Sequence, residues 1–334
     1  MIKIKKTFYA IGQGCFYSEK IYFNNEVKTI VYDCGSVNIE RLEKEISLSG
    51  LNTIDFLILS HFHKDHINGI EVLKNQCKII NVIIPKIDAL DVAFYLGSKN
   101  TIEEILINPT NFWGDTKIFS VNPNNDGQVF ESINNLPQEI SHISQFPIIE
   151  FNKHILWVLK FYVDKREFLN NNLSDIEKEL ITNTLKITDY EANKDKLVEV
   201  YRKLSKKDVN LTSMSMISSP KRNIWFHENH LSISIMNGDL LLNNERKINL
   251  LVNHFLEFSN YTFDFHVPHH GSHKNLFRPI NEWITKKAII LSGYDNQYGH
   301  PSGIILRKFF DSKIEVKSLT EFDRNYIMTQ IYWI

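Results

Sequence analysis

Four side chains of types that bind transition metals fall within six consecutive residues of this sequence. His61, His63, Asp65 and His66 belong to the segment HFHKDH, which directly follows the apolar stretch NTIDFLILS. A strand that ends in a tight loop can aim these side chains at one point, and imidazole with carboxylate suits zinc or manganese. The alternative is an exposed histidine-rich turn. The buried strand before the segment, and the Asp between the histidines, favour a metal site that could hold two adjacent ions.

Six of the 13 histidines lie in short motifs of this kind. His269 and His270 stand in HHGS after the strand pattern FDFHVP, and His300 stands in a GHP turn. Asp239 follows a glycine at the end of the strand pattern LSISIM. An imidazole, with an ordinary pKa of about 6.5, suits general acid work near neutral pH. The ordinary alternatives are a hairpin turn at Asp239, a structural turn at His269 and His270, and a helix cap at His300.

A strand–helix–strand order positions these motifs along the chain. Strand patterns cover the first 35 residues, NTIDFLILS and KIINVIIP, and helical spacing covers residues 38–49 and IEVLKNQ. This alternation predicts an α/β architecture. From residue 209 the strand patterns LTSMSMIS, HLSISIMNGD, KINLLV, FDFHVP and AIILSG follow, and helices are predicted at 276–286 and 302–311.

The stretch from about residue 86 to 208 has a different character. It contains Asn-rich turns, one strong strand pattern (HILWVLKFYV) and two helical patterns at about 174–186 and 189–206. It carries no cluster of potential ligands. We therefore interpret 86–208 as an insertion or cap within one domain that spans residues 1–334. Its charged helices predict control of access to the site, or a surface for a protein partner.

Composition and charge exclude several classes of protein. The chain has 38 Lys+Arg and 39 Asp+Glu, a formal net charge of −1, so any nucleic-acid contact must come from a local patch. A hydrophobic fraction of 43% excludes wholesale disorder. Cys15, Cys34 and Cys77 are too scattered for a disulfide framework and predict buried free thiols. Short apolar runs and an N-terminus without a secretory pattern predict a cytoplasmic protein without membrane contact.

In their order, the motifs resemble the metallo-β-lactamase superfamily, and within it the ComEC-type hydrolase domain of DNA-uptake competence proteins. The shared features are GQG at residues 12–14, Asp-x-Gly at 33–35, HxHxDH from residue 61, Gly-Asp at 238–239, HHGS at 269–272 and GHP at 299–301. The resemblance implies the four-layer αββα metallo-β-lactamase sandwich, an α/β fold, here with a helical insertion.

The resemblance also implies a ligand set and two divalent metal ions, zinc or manganese. The implied metal ligands are His61, His63, Asp65, His66, Asp239 and His300. Asp239 would bridge the two ions. His269 or His270 would contact a phosphate and protonate the leaving oxygen, with Asp65 as a further catalytic residue. Asp33 would orient the HxHxDH loop rather than bind metal, as carboxylates behind metal-binding histidines do.

Two positions depart from the family pattern. Many members carry a further histidine before the bridging Asp, by spacing near residues 210–213, where this sequence has none. His227 and His230 lie nearer to Asp239 and are poorer candidates. The first ion would then be held more weakly, which makes manganese as plausible as zinc. The second departure is Cys15, because ComEC-type sequences usually carry Asp after GQG.

The expected activity is metal-dependent hydrolysis of a phosphodiester in DNA or RNA. The alternative substrate is a small phosphodiester, such as a cyclic nucleotide or a phosphocholine ester. The alternative from another class is a metal-stabilised binding or scaffold module without turnover. Because no transmembrane segment is found in the sequence, transport is not expected of this chain alone.

Overall fold

The computed structural model of the protein contains two mixed β-sheets with helices on their outer faces. It describes residues 1–87, 89–98, 101–123, 139–140, 146–151, 153–165, 212–221, 232–280 and 283–332, together with a few single positions between 174 and 199.

The first sheet has eight described strands. Their spatial order is β15 (Tyr326–Tyr332), β1 (Ile2–Phe8), β2 (Gly14–Phe23), β3 (Glu26–Ser36), β4 (Thr53–Ile58), β5 (Lys78–Pro85), β6 (Lys117–Val121) and β7 (Glu139–Ile140). The neighbours from β15 to β3 pair antiparallel, and those from β3 to β7 pair parallel.

The second sheet has seven described strands. Their spatial order is β14 (Glu315–Leu319), β13 (Ile284–Leu291), β12 (Thr262–His266), β11 (Ser232–Met236), β10 (Thr212–Pro220), β9 (His154–Lys165) and β8 (Phe146–Phe151). The strands β11 to β14 are parallel, and β8 to β11 are antiparallel.

The helices fall into two sets along the chain. The first set is α1 (Ile39–Leu48), α2 (Lys64–Ile67), α3 (Ile70–Gln76), α4 (Ala89–Ser98), α5 (Glu103–Ile107) and α6 (Pro109–Trp113). The second set is α7 (Glu245–His254) and α8 (Gly303–Asp311). None of the described helices combines the length and the apolar character that crossing a bilayer requires.

Alternating side chains in the first sheet contact two different cores. Val31 and Leu57 pack against Leu42 of α1 and Leu73 of α3 on the outer face of the sheet. The neighbouring side chain of Ile58 points the other way, into the core between the sheets. Because successive residues of a strand face opposite sides, each strand from β2 to β6 supplies both cores.

The second sheet repeats this arrangement. Trp157 and Leu159 of β9 enter the core between the sheets, and Val158 enters a third core. That third core also contains Ile248 of α7 and Phe309 of α8. Three cores between four layers confirm the predicted αββα sandwich.

Two predicted elements are wrong. The segment KINLLV is not a strand, as its pattern suggested, but lies within α7. Asn244 caps this helix, and its buried side chains recur at helical spacing. Residues 276–286 were predicted as a helix, but Leu276 forms a β-bridge and β13 begins at Ile284. A short apolar run fits a helix or a strand equally well, and pairing with β12 decides the second case.

The structure assigns parts of 86–208 to the two sheets. β6 pairs with β5 in the first sheet, and β9 pairs with β10 in the second. These parts therefore belong to the sandwich rather than to a separate cap. The helical patterns at 174–186 and 189–206 lie largely outside the described residues, so an insertion there stays a prediction.

A matched pair of leucines tests the core beneath the first sheet. Leu57 is fully buried, whereas Leu48 at the end of α1 is 69% exposed. We expect Leu57→Ala to lower the free energy of unfolding by about 2–5 kcal/mol, because it leaves a cavity. Leu48→Ala should change it by less than about 0.5 kcal/mol. Urea denaturation followed by circular dichroism measures both, and equal effects would contradict the layer assignment.

Candidate metal centre

The predicted site residues lie at the carboxyl ends of strands from both sheets. His61 follows β4, Asp239 follows β11, His269 follows β12, and His300 lies in the loop after β13. Since β11, β12 and β13 are parallel, their carboxyl ends meet at one edge of the second sheet. This shared edge explains how motifs far apart in sequence come together.

Backbone hydrogen bonds join the two sheets at this edge. The Met214 amide donates to the Ser60 carbonyl at 2.9 Å, which ties the start of β10 to the loop after β4. The His269 amide donates to the Gly238 carbonyl at 3.0 Å. The main chain therefore holds the loops of Asp239 and His269 to each other, and holds the loop of His61 to the start of β10.

Two groups of potential metal ligands lie here, and within each group the ligand atoms are within 4.8 Å of one another. The first group is His61, His63 and Asp239, and the second is Asp65, His66 and His270. Asp239 lies between them. Its Oδ2 is 3.6 Å from His61 Nε2, and its Oδ1 is 3.3 Å from His66 Nε2. One carboxylate that faces both groups is the arrangement expected of a bridging ligand.

Asp33 and Ser60 orient two of these histidines. The buried Asp33 carboxylate accepts a hydrogen bond from His66 Nδ1 at 2.8 Å. The Ser60 hydroxyl donates to the same carboxylate at 2.7 Å, so it accepts from His61 Nδ1 at 2.9 Å. Both rings therefore carry their proton on Nδ1 and present the Nε2 lone pair. Asp33 orients the loop as expected, whereas sequence reasoning missed Ser60, whose one signal was its place before His61.

His270 is oriented in the same way by the main chain. Its Nδ1 donates to the Leu291 carbonyl at 2.9 Å, which leaves the lone pair on Nε2. Its Nε2 lies 3.4 Å from Asp65 Oδ2, at the centre of the second group. Sequence reasoning treated His270 as a catalytic residue, but the structure places it among the potential ligands.

The donor atoms fit a cation. Among the described residues, Nε2 of His61, His66 and His270 is buried and makes no hydrogen bond of good geometry. A buried polar atom left unsatisfied costs about 1–3 kcal/mol, and three such atoms converge here. A divalent ion in each group would satisfy them, and the fold implies divalent metal binding. We find the residues compatible with zinc or manganese.

The electrostatics of the cluster also favour positive charge. Burial by itself lowers the pKa of His66, but Asp239 and two further carboxylates raise it well above its ordinary value. Burial by itself raises the pKa of Asp239, but His269 and two further histidines hold it well below the ordinary value. The cluster therefore attracts a positive charge, which can be a proton on His66 or a cation between the carboxylates.

An unusual turn presents the two adjacent histidines of HHGS. His269 and His270 have φ of 48° and 55°, in the left-handed region that non-glycine residues rarely adopt. The turn lets both rings approach the centre from different sides. His269 Nδ1 lies 2.9 Å from Asp239 Oδ2, whereas His270 faces Asp65. Such strained backbone is often found at functional sites.

Two glycines allow the close contacts around the centre. A Cβ on Gly35 would lie 2.4 Å from the Ile67 amide nitrogen, so only glycine lets α2 rest on β3. Gly238 has φ of 48°, and a Cβ there would lie 2.5 Å from Ser60 Cβ. The Asp-x-Gly and Gly-Asp motifs therefore combine a carboxylate with the space that its position requires.

His300 lies outside both ligand groups. Its ring is 5.6 Å from the ring of His269, measured between centroids. Burial, with the nearby charges of His269 and His270, lowers its pKa to about 4. The structure thus brings five of the six predicted ligands into the two groups and adds His270, while the role of His300 as a ligand stays a prediction.

The two departures from the family pattern have different outcomes. Near the position of the missing histidine, the Ser213 hydroxyl accepts a hydrogen bond from the Asp239 amide at 3.2 Å. Ser213 therefore positions Asp239. His227 and His230 lie outside the described residues. Cys15 is fully buried in the core between the sheets, and all three cysteines are buried free thiols.

Comparison with known families agrees with this geometry. The sequence profile of the Metallo-beta-lactamase superfamily matches residues 21–129, which include the HxHxDH segment. The chain has the metallo-β-lactamase fold. The profile match and the four layers agree with each other, and members of the superfamily that the profile describes are mostly hydrolases. No curated protein sequence matches the chain. The finer resemblance to ComEC-type domains stays a prediction.

Several solved structures are similar to this chain at low sequence identity. The fold protein YhfI from Bacillus subtilis is 11% identical, with 98% of this chain and 100% of that chain covered and a TM-score of 0.42. A diphosphatase from the PhnP family is 7% identical, with 98% and 97% covered and a TM-score of 0.41. A long-form RNase Z from yeast is 10% identical, with 86% and 36% covered and a TM-score of 0.34. At these scores, the structures carry no argument about function.

The orienting role of Asp33 generates a prediction about metal affinity. Asn tolerates the φ of 53° at this position, so Asp33→Asn should fold. The amide holds His66 less firmly, and we expect the affinity for zinc to fall about 10–100-fold. Isothermal titration calorimetry measures this fall. Asp311→Asn on the surface of α8 is the control and should bind zinc normally. A folded Asp33→Asn protein with unchanged affinity would contradict the orienting role.

Proposed function

We propose that this metallo-β-lactamase-fold chain is a metal-dependent phosphodiesterase that cleaves DNA or RNA. The observation that carries the proposal is the Asp239 carboxylate, which faces a ligand group on each side. Two ions on either side of one carboxylate can stabilise both the attacking and the leaving oxygen of a phosphodiester. A site for a single ion would not provide this symmetric arrangement.

The chain's own residues divide into those that hold ions and those that face the substrate. One ion would be held by His61, His63 and Asp239, and the other by Asp65, His66 and His270 together with Asp239. When bound, such ions act as Lewis acids and lower the pKa of water to about 7. Zinc and manganese both suit this mixture of imidazole and carboxylate.

His269 is the best candidate for the proton donor. Its side chain is 29% exposed, so it can contact a substrate while its Nδ1 stays close to Asp239. Burial lowers the pKa of His269, but the contact with Asp239 raises it above the ordinary value overall. A protonated imidazole beside the phosphate can protonate the leaving oxygen or stabilise the negative charge of the transition state.

His300 fits a different task. Because its pKa is about 4, the ring is neutral near pH 7. Its Nδ1 is buried and lacks a hydrogen-bond partner among the described residues. A neutral imidazole at the edge of the centre can donate one hydrogen bond to a phosphate oxygen, so we assign His300 to the substrate rather than to a metal.

The alternatives remain those raised by the sequence. A formal net charge of −1 argues against an extended surface for duplex binding. This balance keeps a small phosphodiester as the alternative substrate. A scaffold module would bind metal without turnover. A cytoplasmic location, and a protein partner bound through 86–208, stay predictions.

Hydrolysis of bis-p-nitrophenyl phosphate with added manganese or zinc tests the proposal. We expect turnover by the natural sequence, and a loss of more than about 100-fold in Asp239→Asn, since that carboxylate holds both ions. Asp311→Asn is again the control. Single-stranded DNA, duplex DNA, RNA and cyclic dinucleotides then identify the substrate. Metal binding without turnover of any of these substrates would favour the hypothesis of a scaffold module. Near-normal turnover by a folded Asp239→Asn protein would refute the two-metal hypothesis.

A second experiment separates the roles of His270 and His300. If His270 is a ligand, His270→Ala should bind one ion more weakly and lose up to about one bound ion per chain, because its group keeps only one imidazole, that of His66. His300→Ala should keep its metal but turn over more slowly. Inductively coupled plasma mass spectrometry of the reconstituted proteins measures the metal content. The opposite pattern would restore His300 to the ligand set and return His270 to the substrate.

A further inference from the structure

An exposed tyrosine lies at the rim of the candidate metal centre. Tyr298, in the loop between β13 and α8, is 68% exposed. Its ring lies nearly parallel to that of His300, with an interplanar angle of 25° and 5.9 Å between centroids. A single exposed aromatic ring is ordinary by itself. The significance of Tyr298 comes from its contact with His300 at the candidate site, where an aromatic face can stack on a ligand.

A continuous row of contacts connects this tyrosine to the centre. The ring of His300 is 5.6 Å from the ring of His269, and His269 Nδ1 is 2.9 Å from Asp239 Oδ2. A phosphate held by the two histidines would therefore carry its nearest nucleoside toward Tyr298. The row runs from the proposed position of the reaction to an open aromatic surface.

The side chain of Asn296 holds Tyr298 and His300 in one rigid loop. Its Oδ1 accepts hydrogen bonds from the amide of His300 at 2.9 Å and from the amide of Tyr298 at 3.2 Å. Its Nδ2 donates to the carbonyl of Gly293 at 2.6 Å and to the carbonyl of His300. Because these bonds order the main chain of the loop, a ligand that binds there has less backbone entropy to remove than on a loose loop.

We propose that Tyr298 is a stacking platform for an unpaired nucleobase next to the phosphate that is cleaved. The inference rests on the proposed phosphodiesterase function and narrows its substrate to single-stranded DNA or RNA. Every base has a π-face, so stacking on an aromatic ring is tolerant of sequence. A base inside a duplex is already stacked on its neighbours and cannot present that face, so duplex substrates lose this contact.

A second tyrosine on the same loop provides a matched control. Tyr294 is also 68% exposed, and its ring packs edge-on against Phe322 at 5.6 Å between centroids. Its amide donates to Glu321 Oε2 at 3.0 Å. The Glu321 carboxylate repels a phosphate backbone, so we place the strand at Tyr298 and away from Tyr294.

The test compares variants of Tyr298 on normal and abasic strands with the metal-loaded protein. We expect Tyr298→Ala to raise KM for a short single strand about 10-fold or more, and Tyr298→Phe to restore it, since stacking needs the ring and not the hydroxyl. Tyr294→Ala should leave KM unchanged. The natural protein should bind a strand that lacks the base beside the cleaved phosphate more weakly than a normal strand. Tyr298→Ala should bind the two strands equally well.

A spectroscopic signal provides independent support. The fluorescence of a single strand with 2-aminopurine beside the cleaved phosphate should be quenched when the strand binds the natural protein or Tyr298→Phe. Binding to Tyr298→Ala should not quench it. DNA and RNA strands are compared to identify the source of the base. Equal KM values for the natural protein and Tyr298→Ala, or equal losses on normal and abasic strands, would overturn the stacking role. Failure of the natural protein to cleave any nucleic acid would instead refute the proposed function.

Discussion

The structure around the candidate centre depends on the burial of ionisable groups that cannot all be neutral. Asp33, Asp239 and His66 are almost fully buried where the strands of both sheets end. Removing such charges from water is costly unless they are paired or bind a metal. The contacts of Asp33 with His66 and Ser60 supply part of this compensation. The remaining field favours a cation, so the affinity of the candidate centre for metal would follow from how this end of the sandwich is built.

This constraint explains the unusual backbone at the site. Asp33, His269 and His270 all have positive φ, which the surrounding hydrogen bonds must maintain. The His270 ring is held by the Leu291 carbonyl, and the His269 amide by Gly238. The two sheets therefore act as a frame, and the turns between strand and helix carry the reactive groups on it.

The loop after β13 gives the site a second, more exposed part. Its histidine faces the buried charges, and its tyrosine faces solvent, with Asn296 fixing both through the main chain. A metal centre of this kind can hydrolyse many substrates, because the ions act only on the reacting group. If the chain is the phosphodiesterase that we propose, selection among phosphodiesters would then come from the rim, where His300 and Tyr298 lie.

Much of this protein follows from its sequence alone. The periodicity of the strands predicted an α/β fold, and HFHKDH suggested a metal site. The resemblance carried by HFHKDH and the order of the later motifs implied the αββα sandwich and most of the cluster at its edge. Sequence patterns did not give the correct secondary structure for KINLLV or for residues 276–286. Short apolar runs fit either a helix or a strand, and contacts with neighbouring elements decide between them.

Only the tertiary structure decided which atoms meet. It placed β6 and β9 of the supposed insertion in the sheets. It also brought to the centre Ser60, marked in the sequence only by its place before His61, and Ser213, which nothing in its local sequence marks. It also separated His270 from His269, since consecutive left-handed residues turn adjacent side chains to different sides. Sequence determines the types of side chain and their spacing along the chain, whereas the direction of each side chain depends on backbone conformation and on contacts between distant strands.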